Sequence, residues 1–461
     1  MLYTVLINKE NRMKEKLIEK INLVKYNDID NLEIKVEENT LKEYQRLKDD
    51  LLEKNIEIGI DSAFRTISYQ EELRNRLLKE KGEDYVKKYV AEKDESEHLT
   101  GMALDIAIKI KGKFSNELED SKYFEKIHPI IHKYGFILRY PKGKEKITGY
   151  DYEPWHIRYV GEIPAKVMAE ENLTLEEYHK NFGCILYINK PKDITSFDVV
   201  HKISNLFGIK KVGHTGTLDP LATGVMIVAV GKATKIVELL TAKDKEYVAG
   251  AELGVKTDTY DITGEVLDRK EVPNNFNLKE VIQSFQKTYL QEVPIYSAIK
   301  VGGKKLYDYA RNNKEVELPK KEVTIKKIEL LEENKNTFSF KALVTKGCYI
   351  RSLIMDIGKS MNTYATMTSL IRTKQGNISI EQTNTLEEIT NNQFQIHKIE
   401  EVLDYPIIKV SKEEEFLISN GVRINNKWKI EDKVIFHSQK GLLLGIYEVD
   451  NNILKVWKNF V

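Results

Sequence analysis

Residues 213–224 read GHTGTLDPLATG, and this stretch decides the fold of the larger part of the chain. Its three glycines predict a loop, because glycine adopts backbone angles that other residues avoid. The proline directly after the aspartate restricts φ, so the backbone beside Asp219 is expected to be fixed. The loop presents one carboxylate, Asp219, with no basic residue beside it. An isolated Asp-Pro pair is most simply a capped turn, but a run of this length and order indicates a catalytic loop.

Further motifs stand in a fixed order around this loop. They are INKP at 188–191 with Thr195-Ser196, KEY at 245–247, VPIYSAIK at 293–300 with KKLYDYAR at 304–311, and GCYIRSL at 347–353. With these motifs, residues 183–461 resemble the TruB family of tRNA pseudouridine synthases. The resemblance implies a mixed β-sheet with flanking helices that binds the TΨC stem-loop of tRNA and isomerises uridine-55 to pseudouridine. No cofactor is expected for this reaction.

The resemblance also assigns roles to residues of this sequence. Asp219 is expected to be the nucleophile, attacking either the base or the sugar carbon, and Arg351 to pair with it. Tyr247 is expected to hold the flipped uracil against its ring. The remaining substrate-binding residues implied by the family are Tyr349, Leu370 and His214. A surface ion pair for Arg351, and core packing for the apolar and aromatic positions, are the alternatives.

Two parts of this region match the family less closely than the motifs above. Asp193 stands where the family usually has glycine, and the turn survives only if the aspartate accepts a positive φ, which Asp tolerates better than most residues. Residues 396–461 have the short-strand pattern and turn signals of a small PUA-like RNA-binding β domain. That match depends on position more than on motif.

A second group of motifs lies near the N-terminus, where residues 96–105 read SEHLTGMALD and residues 153–156 read EPWH. His98, Asp105 and His156 form a set of two imidazoles and one carboxylate, which leaves a fourth zinc position open. Glu153 is a separate carboxylate that can serve as base. In a chain with nine histidines, structural or surface roles are the simpler interpretation of these residues taken singly.

The order of these motifs resembles the SxHxxGxAxD and ExxH pattern of the VanY-like D-alanyl-D-alanine carboxypeptidases, which include related L,D-carboxypeptidases. The resemblance implies a VanY/hedgehog-like α+β domain with Zn²⁺ on His98, Asp105 and His156. Glu153 is then the catalytic base, and Arg65, in SAFRT at 62–66, binds the terminal carboxylate of the substrate. The expected substrate is a muropeptide or another peptide that ends in D-alanine.

The length agrees with a multidomain protein, because 461 residues exceed the usual size of one hydrophobic core. The two resemblances imply that the fold class is α+β. We expect domains at 1–182, 183–395 and 396–461. No apolar run is long enough for a membrane span, and the two cysteines show no metal spacing, so a cytoplasmic protein without a membrane partner is expected. Residues 10–55 are predicted to be rich in helix, and 123–134 to form one helix. The oligomeric state is not indicated by the sequence.

Two alternatives in function remain open at this stage. In the first, the synthase part is a catalytically inactive module that binds and folds RNA, rather than an active enzyme. In the second, the main activity of the chain is that of the peptidase. The junction at Gly183 is either a native fusion or a join of two neighbouring reading frames.

Overall fold

A computed structural model of the chain describes residues 2–29, 32–117, 121–312 and 314–461. Internal contacts divide it into two compact units, Met1–Phe182 with Lys202–Lys211, and Gly183–His201 with Val212–Val461. Among the described residues, no helix combines the length and the apolar character that crossing a membrane requires.

The first unit is built on a five-stranded antiparallel sheet. Its central strand, Ala103–Ile110, pairs with Ile58–Ser62, His156–Tyr159 and Lys113–Ser115, and Phe136–Leu138 pairs with His156–Tyr159. Leu23–Asn27 and Glu33–Glu37 form a separate antiparallel pair. The helices are Glu15–Ile18, Glu38–Glu53, Ile67–Lys81, Glu83–Tyr89, Ser121–Phe124, His128–Ile131, Glu145–Thr148, Glu162–Glu170 and Leu175–Asn181, with 3₁₀ turns at Glu97–Thr100 and His132–Tyr134.

The core of the first unit lies between this sheet and the helix Glu38–Glu53. That helix buries Tyr44, Leu47 and Leu51 on one face, as the spacing of its apolar residues requires. The strand Ala103–Ile110 is buried along its first six residues, so it carries Asp105 inside the unit. A carboxylate placed there needs charged or hydrogen-bonding partners.

Two predictions of secondary structure were wrong in part. Residues 10–55 contain the strands Leu23–Asn27 and Glu33–Glu37 before the helix begins, because their β-branched and aromatic residues alternate with polar ones at a period of two. Residues 123–134 do not form one helix but are divided among the short helices Ser121–Phe124 and His128–Ile131 and the 3₁₀ turn His132–Tyr134, because Pro129 lacks a backbone donor. The predicted capping box at Thr174 and Glu177 is confirmed, and it begins the helix Leu175–Asn181.

The second unit contains a nine-stranded sheet, and its strand directions are mixed, as the resemblance implied. Its strand order is Thr288–Glu292, Lys320–Glu333, Thr337–Val344, Lys245–Leu253, Ala365–Gln375, Thr223–Gly231 and Gly183–Lys190, with Ile378–Ser379 and Val212–His214 paired to inner strands. The pair of Thr223–Gly231 with Ala365–Gln375 is parallel, and the other pairs in this sheet are antiparallel. Small pairs lie at Val255–Thr257 with Val266–Arg269, and at Lys300–Val301 with Lys304–Lys305.

Helices flank the nine-stranded sheet. The helix Ile350–Ser360 packs on one face with its residues Leu353, Ile354 and Ile357 fully buried. The other helices that begin after residue 183 are Ser196–Phe207, Val237–Thr241, Leu278–Ser284, Leu306–Arg311, Leu386–Thr390, Ile399–Val402 and Lys412–Ser419, with 3₁₀ turns at Lys232–Ile236 and Ile380–Gln382.

The C-terminal part of the second unit is a five-stranded sheet in the order Ile407–Lys409, Lys433–His437, Leu443–Asp450, Ile453–Asn459 and Ile424–Asn425. One side of it forms its own core around Phe436 and Tyr447. Ile435 and Ile446 instead pack into a cluster with the strands Gly183–Lys190 and Thr223–Gly231. The C-terminal strands therefore share a core with the nine-stranded sheet.

Candidate functional site

The loop that precedes the strand Thr223–Gly231 is held from several sides. The Ser196 hydroxyl accepts a hydrogen bond from the Leu218 amide at 2.9 Å and donates one to the Leu218 carbonyl at 3.0 Å. Asp193 has φ of 68°, as the sequence predicted, and its amide donates to the Pro220 carbonyl at 2.9 Å. These contacts fix the backbone on both sides of Asp219.

Asp219 and Arg351 come together at this loop. The Arg351 Nε lies 2.9 Å from Asp219 Oδ2, and its Nη2 lies 3.2 Å from Oδ1, so the guanidinium contacts both carboxylate oxygens. Arg351 also donates to the carbonyls of Thr259 and Tyr296, both at 2.9 Å. Its side chain is 5% exposed whereas that of Asp219 is 33% exposed, so a substrate can reach the carboxylate. Arg351 is therefore a buried partner rather than a surface one.

Burial and the neighbouring charges shift the pKa of Asp219 in opposite directions. Burial raises the pKa of the Asp219 carboxyl, Arg351 lowers it, and Asp261 raises it again, with a net shift above the ordinary aspartate value. The arginine thus limits a shift that burial alone would make larger. The sequence argument anticipated only the effect of the arginine.

The other predicted residues of this site lie around the same loop. Tyr247 is 7% exposed on the strand Lys245–Leu253, next to Arg372, and Leu370 belongs to the same core cluster. Tyr349 directly precedes the helix that carries Arg351, and its amide donates to Gln291 Oε1 at 2.8 Å. His214 accepts the Gly216 amide on Nδ1 at 3.2 Å. Burial raises the pKa of both Tyr247 and Tyr349, and the charge of Asp219 adds to that rise.

Sequence reasoning missed residues that hold the loop from the neighbouring strand. Arg372 is 1% exposed and donates to the carbonyls of Val225 at 2.6 Å and Gly216 at 3.0 Å. Gln375 donates to the Thr215 hydroxyl at 2.6 Å. Lys190 is buried and donates to the carbonyls of Pro191 and Ile194. No local sequence signal identifies Arg372 and Gln375, because the groups they contact are about 150 residues away in sequence.

The first unit brings together the second predicted group. His98 Nε2 lies 3.2 Å from Asp105 Oδ2, and His156 Nδ1 lies 3.1 Å from Asp105 Oδ1. The three side chains are buried, and one ligand atom from each lies within 4.8 Å of the others. The pairing of the strands Ala103–Ile110 and His156–Tyr159 places Asp105 opposite His156.

These three donors fit a zinc ion. The His98 Nδ1 contacts the Ala63 carbonyl at 2.6 Å, which holds the proton on that nitrogen and leaves the Nε2 lone pair for a metal. Asp105 Oδ1 is buried without a hydrogen-bond partner in the described part of the chain. Two imidazoles and one carboxylate are a ligand set of catalytic zinc sites.

Glu153 and Arg65 lie beside this donor set. Glu153 Oε2 is 3.6 Å from His156 Nδ1, and burial raises the pKa of Glu153 to about 8, although His156 opposes that shift. Arg65 Nη2 is 2.6 Å from Asp105 Oδ2, and its Nε donates to the Ser62 hydroxyl at 3.0 Å. All five predicted residues line one cavity of about 650 Å³. Leu73, Leu77, Tyr85 and Tyr89 of the helices Ile67–Lys81 and Glu83–Tyr89 form one wall of it.

The sequence argument gave no role to Glu97, which also lines this cavity. Its side chain is fully buried, with Oε1 at 2.8 Å from Arg139 Nε and 3.0 Å from Arg158 Nη1. Burial alone would raise the pKa of Glu97, but the two arginines hold it well below the ordinary value. Glu97 is therefore a buried carboxylate that contacts two guanidinium groups next to the donor set.

Comparisons with known proteins agree with both groups of motifs. Residues 204–350 match the model of the TruB family pseudouridylate synthase, N-terminal domain, and residues 33–162 match the model of VanY, D-alanyl-D-alanine carboxypeptidase. The second unit thus belongs to the class of pseudouridine synthases, and the first unit carries a VanY domain.

The particular family follows from relatives along the second unit. The chain is 44% identical to tRNA pseudouridine synthase B of Fusobacterium nucleatum over 284 residues, which are 60% of this chain and 99% of that protein. It is 41% identical to the same enzyme of Oceanobacillus iheyensis, over 57% of this chain and 92% of that protein. The chain belongs to the TruB family of tRNA pseudouridine synthases.

A solved structure similar to the first unit is that of the LdcB LD-carboxypeptidase. It is 33% identical, covers 38% of this chain and 83% of that one, and has a TM-score of 0.34.

Proposed function

We propose that the second unit isomerises uridine-55 in the TΨC loop of tRNA to pseudouridine, with Asp219 as the nucleophile. The observation that supports this most directly is the contact of Arg351 with both oxygens of a partly exposed Asp219. The reaction breaks the bond from N1 of uracil to C1′ of ribose and forms a bond from C5 to C1′. The C5 proton is lost and N1 gains one, so the product is an isomer and no cofactor is consumed.

The residues around Asp219 are suited to a base that has left the stack. Tyr247 offers an aromatic face and Leu370 an apolar one, which together replace the stacking that the uridine loses on extrusion. Tyr349 is the N-cap residue of the helix that carries Arg351. We propose that His214, at the edge of the loop, helps to occupy the space that the flipped base leaves in the RNA.

The test of this proposal is pseudouridine formation in a stem-loop with the TΨC sequence, compared between the chain and Asp219→Asn. Loss of the nucleophile should reduce the rate by at least about 10³-fold while the stem-loop still binds. Asp268→Asn removes an exposed carboxylate of the same unit and serves as the matched control. An unchanged rate in Asp219→Asn contradicts the nucleophile. Binding without any turnover by the native chain supports the rival function, an RNA-binding module.

We propose, as a second activity, that the first unit is a zinc carboxypeptidase that removes a terminal D-alanine from muropeptides. The observation behind it is the buried set of His98, Asp105 and His156, with Glu153 beside it. Bound zinc would supply a Lewis acid for the scissile carbonyl. Glu153 would take the proton of the attacking water and pass it to the leaving amine.

Arg65 is proposed to bind the terminal carboxylate of the peptide. Its guanidinium lies on the same cavity as Glu153 and keeps 15% of its side chain exposed. A planar guanidinium matches a carboxylate with two parallel hydrogen bonds. Cleavage is to be tested with two substrates, one muropeptide with a terminal D,D peptide bond and one with a terminal L,D peptide bond.

Zinc content is the first measurement for this activity. Protein purified without chelators should contain about one zinc per chain, and His98→Ala or His156→Ala should remove it. Glu153→Ala should retain the metal and lose peptidase activity. A chain without metal that cleaves neither muropeptide contradicts the proposal.

We propose domain boundaries at 1–182, 183–395 and 396–461, a PUA-like identity for the last, and a cytoplasmic location. The C-terminal five-stranded sheet, with strands between Ile407 and Asn459, lies within the last of these segments and supports a small β domain there. Expression of residues 183–461 tests the first boundary: an active fragment supports it, and an insoluble one contradicts it.

A further inference from the structure

Glu97 faces the imidazole of His156 from the side opposite the metal donors. His156 Nδ1 points to Asp105 and Glu153, whereas its Nε2 lies 3.9 Å from Glu97 Oε2. Within the described residues, both Nε2 and Oε2 are buried and lack a hydrogen-bond partner. These two unpaired atoms therefore face each other at 3.9 Å, close to hydrogen-bonding distance.

The direction of this contact matters for metal binding. A neutral imidazole binds a metal with Nδ1 only if its proton is on Nε2. An ionised carboxylate beside Nε2 accepts that proton in a hydrogen bond and so favours the tautomer that binds the metal.

The orientation of Glu97 is set by buried arginines. Arg139 and Arg158 both contact Oε1, which leaves Oε2 directed at His156. These side chains have no exposed area, so the cluster of one carboxylate and two guanidinium groups needs another negative charge.

That charge comes from Glu176. Its Oε1 is 2.6 Å from Arg139 Nη2, and its Oε2 is 3.0 Å from Nη1, a two-pronged pair that fixes the plane of the guanidinium. Glu176 lies on the helix Leu175–Asn181, outside the segment 33–162 that matches the VanY model.

We propose that Glu97 is a positioning residue for the metal ligand His156, and that Glu176, through Arg139, holds Glu97 in place. This inference rests on the proposed zinc site. It assigns the helix Leu175–Asn181 to the working part of the first unit, although that helix lies beyond the family match.

The test is the zinc affinity of the full chain, measured by competition with a chromophoric chelator. Glu97→Gln should weaken zinc binding about 10- to 100-fold. The amide can keep its oxygen toward the arginines, and its NH₂ group then donates to Nε2 and favours the wrong tautomer. Glu176→Gln should weaken binding less, because it acts through Arg139. Glu177→Gln is the matched control, since it disturbs the start of the same helix but leaves Arg139 paired.

A second readout separates positioning from general stability. In metal-free protein labelled with ¹⁵N-histidine, the ring nitrogen shifts of His156, assigned by the loss of its signals in His156→Ala, should move toward the Nδ1-protonated tautomer in Glu97→Gln. They should stay unchanged in Glu177→Gln. Native zinc affinity in Glu97→Gln, or an equal loss in Glu176→Gln and Glu177→Gln, overturns the inference.

The outcomes also distinguish this inference from the proposed function. If the native chain and His156→Ala bind zinc equally weakly, the zinc site itself is wrong. If Glu97→Gln fails to fold, Glu176→Gln decides, because that side chain is partly exposed and its loss leaves Glu97 paired with both arginines. Native affinity in a folded Glu176→Gln then overturns the role of the network.

Discussion

Arg351 contacts both oxygens of Asp219, with Nε 2.9 Å from Oδ2 and Nη2 3.2 Å from Oδ1. The same guanidinium donates to two backbone carbonyls, of Thr259 and Tyr296, so it is fixed by the loops on which those carbonyls lie. The Asp219 carboxylate, the proposed nucleophile, is therefore oriented by a group that is itself held in one position.

The first prediction concerns the geometry of this arginine. Arg351→Lys keeps the positive charge, but one ammonium cannot replace four contacts that lie in different directions. We expect the single-turnover rate of pseudouridine formation to fall about 100-fold while stem-loop binding changes little. A rate within about twofold of the native rate would show that charge alone is sufficient.

The second prediction concerns pH. The pKa of Asp219 is raised by burial, and Arg351 limits that rise. Because the nucleophile acts as a carboxylate, activity is present above the folded-state pKa and is lost as pH falls through it. The loss should therefore begin above the pH at which a free aspartate, with a pKa of about 3.9, takes up its proton.

The variant Arg351→Gln checks the sign of this effect. Arg351 lowers the pKa of Asp219, so without this cation the pKa is higher. The midpoint of the residual activity should therefore move to higher pH. Single-turnover rates between about pH 4 and 8 measure both midpoints. A midpoint that stays in place in Arg351→Gln would show that another group titrates.

The third prediction compares two glycines of one motif. Gly224 has φ of +100°, and a Cβ added there would lie 2.3 Å from the Arg372 carbonyl oxygen, whereas a Cβ on Gly213 would be 3.5 Å from the nearest atom, on Val237. Gly224→Ala should destabilise the second unit by about 3 kcal/mol or more, and Gly213→Ala by less than about 1 kcal/mol. Calorimetric unfolding measures both. Similar melting temperatures for the two variants would contradict the packing described for Gly224.

The fourth prediction separates the two proposed activities by their need for metal. EDTA should abolish cleavage of a muropeptide that ends in D-alanine, and leave pseudouridine formation in a small stem-loop intact, since a carboxylate nucleophile needs no metal. The stem-loop is preferred because full-length tRNA itself needs magnesium to fold. Asp219→Asn should have the opposite effect on the two reactions. Loss of both reactions in EDTA would contradict the independence of the two sites.

Much of the local structure could be predicted from the sequence. The positive φ at Asp193 and the capping box of the helix Leu175–Asn181 depend on residues within a few positions of each other, whereas the loop around Asp219 is also held by Ser196 and Arg372, which are distant in sequence. The helix-rich structure predicted for residues 10–55 is wrong in part, because a short amphipathic segment fits both the helical period of about 3.6 residues and the strand period of about 2. The pairing of Leu23–Asn27 with Glu33–Glu37 decides that these two segments are strands.

The sequence by itself determined the family of the larger part of the chain, and it predicted Asp219 and the donor set around His98 as candidate site residues. Only the tertiary structure decided which charges meet. Glu97 is adjacent to a predicted ligand, yet the other members of its charge cluster come from distant segments: Arg139 directly follows the strand Phe136–Leu138, Arg158 lies on the strand His156–Tyr159, and Glu176 lies on the helix Leu175–Asn181. Buried charges are stable only where strand order and helix packing bring opposite charges into contact, and this information is not local to any segment of the sequence.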